Sequence, residues 1–136
     1  MPNATVKDRI AATLRKSKDG VFLRKEFDRF GDYRQVSRAV RDLVVAGVIV
    51  RMGYGVYARA IKSPFSGKPV PKEALVAIGL EAMRKMGVKA DIGTFEKDLR
   101  SGTSTQIPML PVISVGNSRI NRKIGFGKRM IVYETN

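Results

Sequence analysis

The sequence predicts an α+β fold of two small domains: helices and a β-hairpin come first, then a helix with a small antiparallel sheet. The first half holds three segments in which apolar residues recur every three or four positions, the spacing of amphipathic helices. The last third holds short β-branched runs separated by glycine-containing turns, a pattern typical of strands. A hydrophobic fraction of 43% over 136 residues is enough for an ordinary core.

The boundary between the two predicted domains lies in residues 62–71. This segment is rich in residues that interrupt regular structure, namely Pro64, Gly67, Pro69 and Pro71. We therefore expect one domain over residues 1–62, a linker over residues 63–71 and a second domain over residues 72–136.

Three helices and one short strand are expected at the start of the chain. The first helix is predicted over residues 6–17, because Thr5 and Asp8 are spaced as a capping box and apolar residues follow at helical spacing. A short strand over residues 21–23 and a second helix over residues 24–30 come next.

The third helix, over residues 33–46, carries the strongest pattern. Asp32 is its predicted N-cap, with Gln35 completing the capping box. A buried stripe is predicted from the i, i+3, i+4, i+7, i+8 spacing of Val36, Ala39, Val40, Leu43 and Val44. At about 100° per residue, the opposite and outward face is formed by Arg34, Ser37, Arg38 and Arg41.

A β-hairpin is expected after this helix, with strands over residues 48–52 and 55–58 joined by a turn at Gly53 and Tyr54. The order helix, short strand, helix, helix, hairpin is that of a winged helix-turn-helix. In that fold the third helix enters the major groove of double-stranded DNA, which is about 12 Å wide. The first domain is therefore predicted to be a winged helix-turn-helix.

The charge of the chain supports a polyanionic partner. There are 26 Lys and Arg against 12 Asp and Glu, a formal net charge of +14. Such an excess favours nucleic acid, and less often an anionic membrane surface, as the partner. The sequence has neither an export signal nor an apolar run long enough for a membrane span, so a cytoplasmic location is expected.

Several chemistries are excluded by composition. The chain has no Cys and no His, so it lacks thiolate and imidazole nucleophiles, bases and zinc ligands. Its carboxylates show no catalytic or metal-ligating spacing, and no glycine-rich phosphate loop is present. We expect no enzymatic activity, no metal and no cofactor.

The candidate base-reading residues are Arg34, Arg38 and Arg41, because a guanidinium group binds O6 and N7 of guanine with two hydrogen bonds. Gln35 and Ser37 are secondary candidates. The candidate phosphate contacts lie at the start of the second helix and on or after the hairpin: Arg24, Lys25, Arg51, Tyr54, Arg59 and Lys62. An arginine-rich face can also be merely solvated, and Tyr54 can be an ordinary turn residue. The helix order and the net charge favour DNA.

The second domain is predicted to contain an amphipathic helix over residues 72–86, a short helix over 94–100 and strands over 112–115, 119–124 and 129–134. Because side chains alternate along strands, several cations of the tail would share one surface. These are Arg119, Arg122, Lys123, Lys128 and Arg129. Two interpretations remain open: a second phosphate-binding site, or a solvated strand edge protected by charge.

Two pairs of stretches carry a family resemblance. Ser104-Thr105-Gln106-Ile107-Pro108 with Gly116-Asn117-Ser118-Arg119, and Val21-Phe22-Leu23-Arg24 with Val56-Tyr57-Ala58-Arg59, resemble the abortive-infection (AbiEi-type) type IV antitoxins. The resemblance implies a winged-helix domain that binds inverted repeats in its own promoter. It also implies a C-terminal domain that assists repression or opposes a nucleotidyltransferase toxin, with no catalysis.

The expected function is therefore that of a sequence-specific DNA-binding repressor. A homodimer on an inverted repeat is expected, because one recognition helix covers only a few base pairs. The main alternative is a basic module that neutralises a partner protein without binding specific DNA, which a stoichiometric complex in the absence of DNA would reveal. An RNA-binding function is disfavoured because only 7% of the residues are aromatic.

Overall fold

The computed structural model describes residues 4–93 and 111–135 and has the predicted mixed α+β composition. The helices are α1 (Val6–Lys16), the 3₁₀ helix η1 (Arg24–Phe30), α2 (Tyr33–Val45) and α3 (Leu75–Lys85). The strands are β1 (Val21–Leu23), β2 (Ile49–Gly53), β3 (Val56–Lys62), β4 (Pro69–Pro71), β5 (Asp91–Ile92), β6 (Val112–Gly116), β7 (Gly125–Phe126), β8 (Arg129–Met130) and β9 (Val132–Thr135). The chain divides into two compact units, the first comprising Met1–Arg51 with Gly55–Lys72 and the second comprising Met52–Tyr54 with Glu73–Asn136.

Helix α1 begins at the predicted capping box. The backbone N–H of Asp8 donates to Oγ1 of Thr5 at 3.1 Å, and the backbone N–H of Thr5 donates to Oδ2 of Asp8 at 3.1 Å. These bonds satisfy two groups that the first helical turn would otherwise leave without partners. The helix ends at Lys16, one residue before the predicted end.

The first unit is built around one sheet and three helices. Strand β3 lies between β1 and β2, and β1 pairs with β3 antiparallel with Phe22 opposite Tyr57. The helices cover this sheet with a buried apolar cluster that joins them to it: Ile10, Leu14, Phe22, Phe27, Val36, Ala39, Val40, Leu43 and Ile49. Four of the five residues in the predicted stripe of α2 are thereby buried, and the fifth, Val44, is partly buried against the same cluster.

Residues 62–71, predicted to contain a linker, instead form part of the first unit. Strand β4 pairs antiparallel with β3, with Ile61 opposite Val70. The backbone N–H of Ser63 donates to the carbonyl of Lys68 at 2.8 Å and closes the turn between the two strands. Among the described strands β4 pairs with β3 alone, and the flanking prolines are compatible with this pairing because proline is tolerated in an edge strand.

The second unit contains α3 and a three-stranded sheet of order β5-β6-β9. Strand β5 is antiparallel to β6, but β9 is parallel to β6, so the predicted wholly antiparallel sheet is wrong for this pair. The parallel pairing is possible because residues 117–131, which contain the β7–β8 hairpin, supply the long crossover that parallel strands require. Residues 119–124, predicted as a strand, have irregular backbone instead.

Helix α3 packs against the sheet of the second unit through small and apolar residues. A Cβ placed on Gly79 would lie 2.9 Å from Cδ1 of Ile131 and 3.4 Å from Cδ1 of Ile113. Glycine at this position therefore allows the helix and the sheet to approach closely. The predicted short helix over residues 94–100 and the Ser-Thr-Gln-Ile-Pro run at 104–108 lie outside the described residues.

Candidate nucleic-acid interface

Three arginines share the outward face of α2. Arg34, Arg38 and Arg41 are exposed, whereas Val36 and Val40 on the opposite side are buried. With about 100° between successive residues, the three arginines fall within about 60° of the helix circumference. Within residues 4–93 and 111–135, no carboxylate forms an ion pair with any of them. Their guanidinium donors are thus presented to solvent along one face.

The capping box fixes the start of α2. The backbone N–H of Gln35 donates to Oδ1 of Asp32 at 2.8 Å, and Oε1 of Gln35 accepts from the backbone N–H of Asp32 at 3.0 Å. Gln35 is exposed, as a base-reading residue must be, but its side-chain oxygen is engaged in the cap. The cap gives Gln35 a role in fixing the helix that carries the arginines.

Arg24 and Ser37, both predicted DNA contacts, bind each other. Nη2 of Arg24 donates to Oγ of Ser37 at 3.1 Å and to the carbonyl of Tyr33 at 3.2 Å. Nη1 of Arg24 forms a 2.5 Å ion pair with Asp28, and its guanidinium carbon lies 5.0 Å from the centre of the Tyr33 ring. Arg24 therefore ties η1 to the first turn of α2 and sets the position of that helix.

Arg59 also has a structural role. Its Nε donates to the carbonyl of Asp19 at 2.6 Å, and its Nη2 donates to the carbonyls of Leu14 at 2.6 Å and Ser17 at 2.5 Å. The guanidinium carbon lies 5.2 Å from the centre of the Phe22 ring, within range of a cation–π interaction. The guanidinium group is thus committed to the C-terminal end of α1 and the residues that follow it.

The turn between β2 and β3 carries the exposed side chain of Tyr54, of which 81% is accessible to solvent. Its carbonyl accepts a hydrogen bond from Nη2 of Arg122, within the second unit. A Cβ on Gly53 would lie 2.3 Å from the carbonyl oxygen of Lys123, so this backbone approach requires glycine. The backbone of the turn is therefore packed, while the Tyr54 ring remains available to a partner.

The other predicted phosphate contacts in the first unit, Lys25, Arg51 and Lys62, are exposed. Lys25 lies on η1, Arg51 on β2 and Lys62 at the end of β3. The structure therefore distributes them over three elements and leaves each with its side chain at the surface.

The basic residues of the tail are exposed: Arg119, Arg122, Lys123, Lys128 and Arg129. Only Arg129 lies on a strand, because residues 119–124 are irregular and the β7–β8 hairpin is very short. The expectation that strand alternation aligns these cations is therefore wrong. Arg122 is further restrained by Tyr133, whose hydroxyl donates to its carbonyl at 2.5 Å. Burial of Tyr133 raises the pKa of its phenol, and the nearby charge of Arg122 partly opposes this shift.

Phe65 and Lys68 were not predicted as site residues, because residues 63–71 have the composition of a linker. In the structure both are exposed in the turn between β3 and β4. A sequence signal was present: residues 59–72 contain four Lys and Arg residues and no Asp or Glu. That local excess of positive charge extends the basic surface beyond the predicted residues.

In the described part of the chain, no group of three or more Asp and Glu residues is arranged to hold a metal ion. No helix between residues 4 and 93 or 111 and 135 is both long enough and apolar enough to cross a membrane.

These features define an α+β protein with a basic, arginine-bearing helix face in its first unit. The chain belongs to a family of unknown function (DUF6088), whose family model matches residues 9–136. Among curated proteins, none matches it significantly.

Proposed function

We propose that the chain is a sequence-specific double-stranded DNA-binding protein whose first unit acts as a winged helix-turn-helix. The observation that carries this proposal is the common exposed face of Arg34, Arg38 and Arg41 on α2, opposite a stripe in which Val36, Ala39, Val40 and Leu43 are buried. The order α1, β1, η1, α2, β2, β3, with β1 paired to β3, supports it. In this proposal α2 is the recognition helix and the β2–β3 hairpin is the wing.

The chemistry of recognition follows from the side chains of α2. A guanidinium group reads guanine by donating to O6 and N7, and each such pair contributes about 1–3 kcal/mol of discrimination. Lys25, Arg51 and Lys62 contact phosphates, which adds affinity and orientation without sequence information. Arg24 and the Asp32 cap hold α2 in place, so the reading arginines are presented from a fixed helix.

The biological role in this proposal is that of a transcriptional autorepressor. It rests on the resemblance of residues 104–108 and 116–119 to type IV antitoxins, and it includes binding to an inverted repeat as a homodimer. Two copies are needed because one recognition helix covers too few base pairs for specificity in a genome. A nucleotidyltransferase toxin is the protein partner that the resemblance suggests, and the proposed role involves no catalytic step or cofactor.

Fluorescence anisotropy of the purified chain tests the proposal. Its own upstream DNA and a scrambled duplex of equal length are titrated over a range of salt concentrations. We expect the upstream duplex to bind at least about a thousandfold more tightly at physiological salt, with a log–log salt slope that counts the neutralised phosphates. Equal, weak binding of both duplexes would contradict sequence-specific regulation. A stoichiometric complex with a co-purified protein, formed without DNA, would then support the partner-neutralising alternative.

A further inference from the structure

The turn between β3 and β4 presents an aromatic ring to solvent. Phe65 is 97% exposed, the highest value among the exposed large hydrophobic side chains of the described residues. Full burial of a phenylalanine side chain stabilises by about 1.5–3 kcal/mol relative to exposure, so this position forgoes that gain in the isolated chain. A partner that accepts a flat apolar ring would recover it.

The backbone of this turn is held in place by hydrogen bonds. Oγ of Ser63 accepts from the backbone N–H groups of Phe65 at 3.2 Å and Ser66 at 3.3 Å. The backbone N–H of Gly67 donates to the carbonyl of Ser63 at 3.0 Å, and Gly67 has a φ of +74°, a value that favours glycine. The ring is therefore projected from a pre-organised turn, which lowers the entropic cost of inserting it into a partner.

Two lysines flank the ring. Lys62 ends β3 on one side of the turn and Lys68 precedes β4 on the other, and both are exposed. Cε of Lys62 lies 3.6 Å from the position that a Cβ on Gly67 would occupy, so its side chain runs beside the turn. Because residues 59–72 contain four Lys and Arg residues and no carboxylate, this stretch of the chain favours a polyanion.

Strands β3 and β4 with their turn, here called the β3–β4 hairpin, contact the C-terminal end of α2. The backbone N–H of Ala60 donates to the carbonyl of Val48 at 3.2 Å, and a Cβ on Gly47 would lie 3.1 Å from Cγ of Pro69. Gly47 follows α2 almost directly, so the base of the hairpin is packed against the end of that helix. The β3–β4 hairpin would therefore be held in a fixed position relative to a duplex bound by α2.

We propose that the β3–β4 hairpin inserts Phe65 between two base pairs in the minor groove of the DNA that α2 binds, while Lys62 and Lys68 contact the flanking phosphates. This inference rests on the proposed function and adds a second contact, with a groove that α2 does not occupy. Apolar wedges flanked by cations open a base step and bend the duplex toward the major groove.

The experiment compares the full-length chain with Phe65→Ala, with Phe65→Trp, which restores a flat ring, and with Met130→Ala, which shortens an exposed apolar side chain of the second unit. The probe is the duplex that the wild-type chain selects from a random-sequence pool, about 30 base pairs long, with a fluorophore at each end. If no sequence is enriched, a mixed-sequence duplex replaces it. Anisotropy measures affinity, and energy transfer between the ends measures the bend.

We expect Phe65→Ala to bind about tenfold more weakly, to lose the bend and to keep the salt slope, because ring insertion displaces no counterions. Phe65→Trp and Met130→Ala should behave like the wild type in bending. Lys62→Ala and Lys68→Ala should each reduce the salt slope by about 0.9 and weaken all duplexes equally. Unchanged melting temperatures would show that the exposed ring is not needed for folding.

Equal affinity and equal bending by the wild type and Phe65→Ala would overturn the inference while leaving the proposed function intact. The absence of any enriched sequence would instead contradict the proposed function, and the bend on the mixed-sequence duplex would still decide whether the ring inserts. Vesicles of phosphatidylserine and phosphatidylcholine provide the second arm. If Phe65→Ala weakens vesicle binding but not DNA binding, the partner of the hairpin is a lipid surface and the inference fails.

Discussion

The guanidinium group of Arg59 donates a 2.6 Å hydrogen bond to the carbonyl of Leu14, in the last turn of α1. The last four carbonyls of an α-helix lack intrahelical partners, and Arg59, on strand β3, supplies a hydrogen-bond donor to one of these carbonyls. The same side chain also binds the carbonyls of Ser17 and Asp19, so one residue joins the sheet, the helix end and the following loop. A residue placed in this way contributes to the stability of the first unit.

Arg59→Ala is expected to lower the free energy of unfolding by about 3 kcal/mol, because three charge-assisted hydrogen bonds are lost together. Arg59→Lys should recover less than half of the loss, since an ammonium group cannot reproduce the planar fork of a guanidinium. Urea denaturation measures both variants. At urea concentrations below their unfolding transitions, both variants should keep the DNA sequence preference of the wild type. A variant that keeps full stability but loses DNA affinity would contradict the structural role of Arg59.

The close approach of Gly47 to Pro69 gives a second prediction. Gly47→Ala should destabilise the first unit by more than about 1 kcal/mol, because a φ of +79° strains any L-residue and the new methyl group would lie 3.1 Å from the proline ring. Gly87→Ala is the matched control: its φ is +80°, but beyond its chain neighbours no atom of the described residues lies within 4 Å of the added Cβ. Urea denaturation of the two variants separates backbone strain from the contact. Equal losses of stability in the two variants would mean that the contact between Gly47 and Pro69 does not restrict an added side chain.

The features that sequence predicted well depend on neighbours in the chain. The capping boxes at Thr5 and Asp32 join residues three apart, and the stripe of α2 follows from helical periodicity, so both were predicted and are confirmed. The pairing of β4 with β3 and the parallel pairing of β9 with β6 depend on contacts between distant segments. Proline-rich composition does not distinguish a linker from an edge strand, and β-branched runs do not encode the direction of pairing.

The residues of the candidate site show the same difference between features set by nearby residues and features set by distant contacts. Exposure of Arg34, Arg38 and Arg41 followed from the helical period and was predicted. The hydrogen bonds of Arg24 to Ser37 and of Arg59 to α1 join elements that are distant in sequence. Charge and position on the predicted elements therefore placed both arginines among the DNA contacts. Base-reading by α2 stays a prediction.

The capping box of α1 makes part of the stability dependent on pH. The hydrogen bonds that Asp8 exchanges with Thr5 lower the pKa of its carboxyl below the ordinary value of 3.8. A lowered pKa in the folded state means that its contribution is complete above the unfolded-state pKa and is lost as the pH falls through the folded-state pKa. Asp8→Ala should therefore lower the melting temperature at pH 7, and the difference from wild type should shrink below about pH 4.

Thermal unfolding followed by circular dichroism across this range provides the measurement. Asp8→Asn is the matched control, because an amide oxygen can accept from Thr5 at every pH but does not titrate. Its melting temperature should change less than that of the wild type as the carboxyl protonates. A constant difference between Asp8→Ala and the wild type from pH 7 to pH 2 would show that the capping carboxylate does not account for the effect.

The reading role of α2 is tested by Arg38→Ala against Arg84→Ala. Both variants remove one positive charge from an exposed helical position, but Arg84 lies on α3, where its partner at 3.6 Å is Glu81. Arg38→Ala should reduce the discrimination between the selected duplex and its single-base variants by about 1–3 kcal/mol at one base pair, because a bidentate contact to that base is lost. Arg84→Ala should leave discrimination unchanged. Equal losses on selected and random duplexes for Arg38→Ala would assign Arg38 to phosphate contact and remove it from base recognition, since phosphates carry no sequence information.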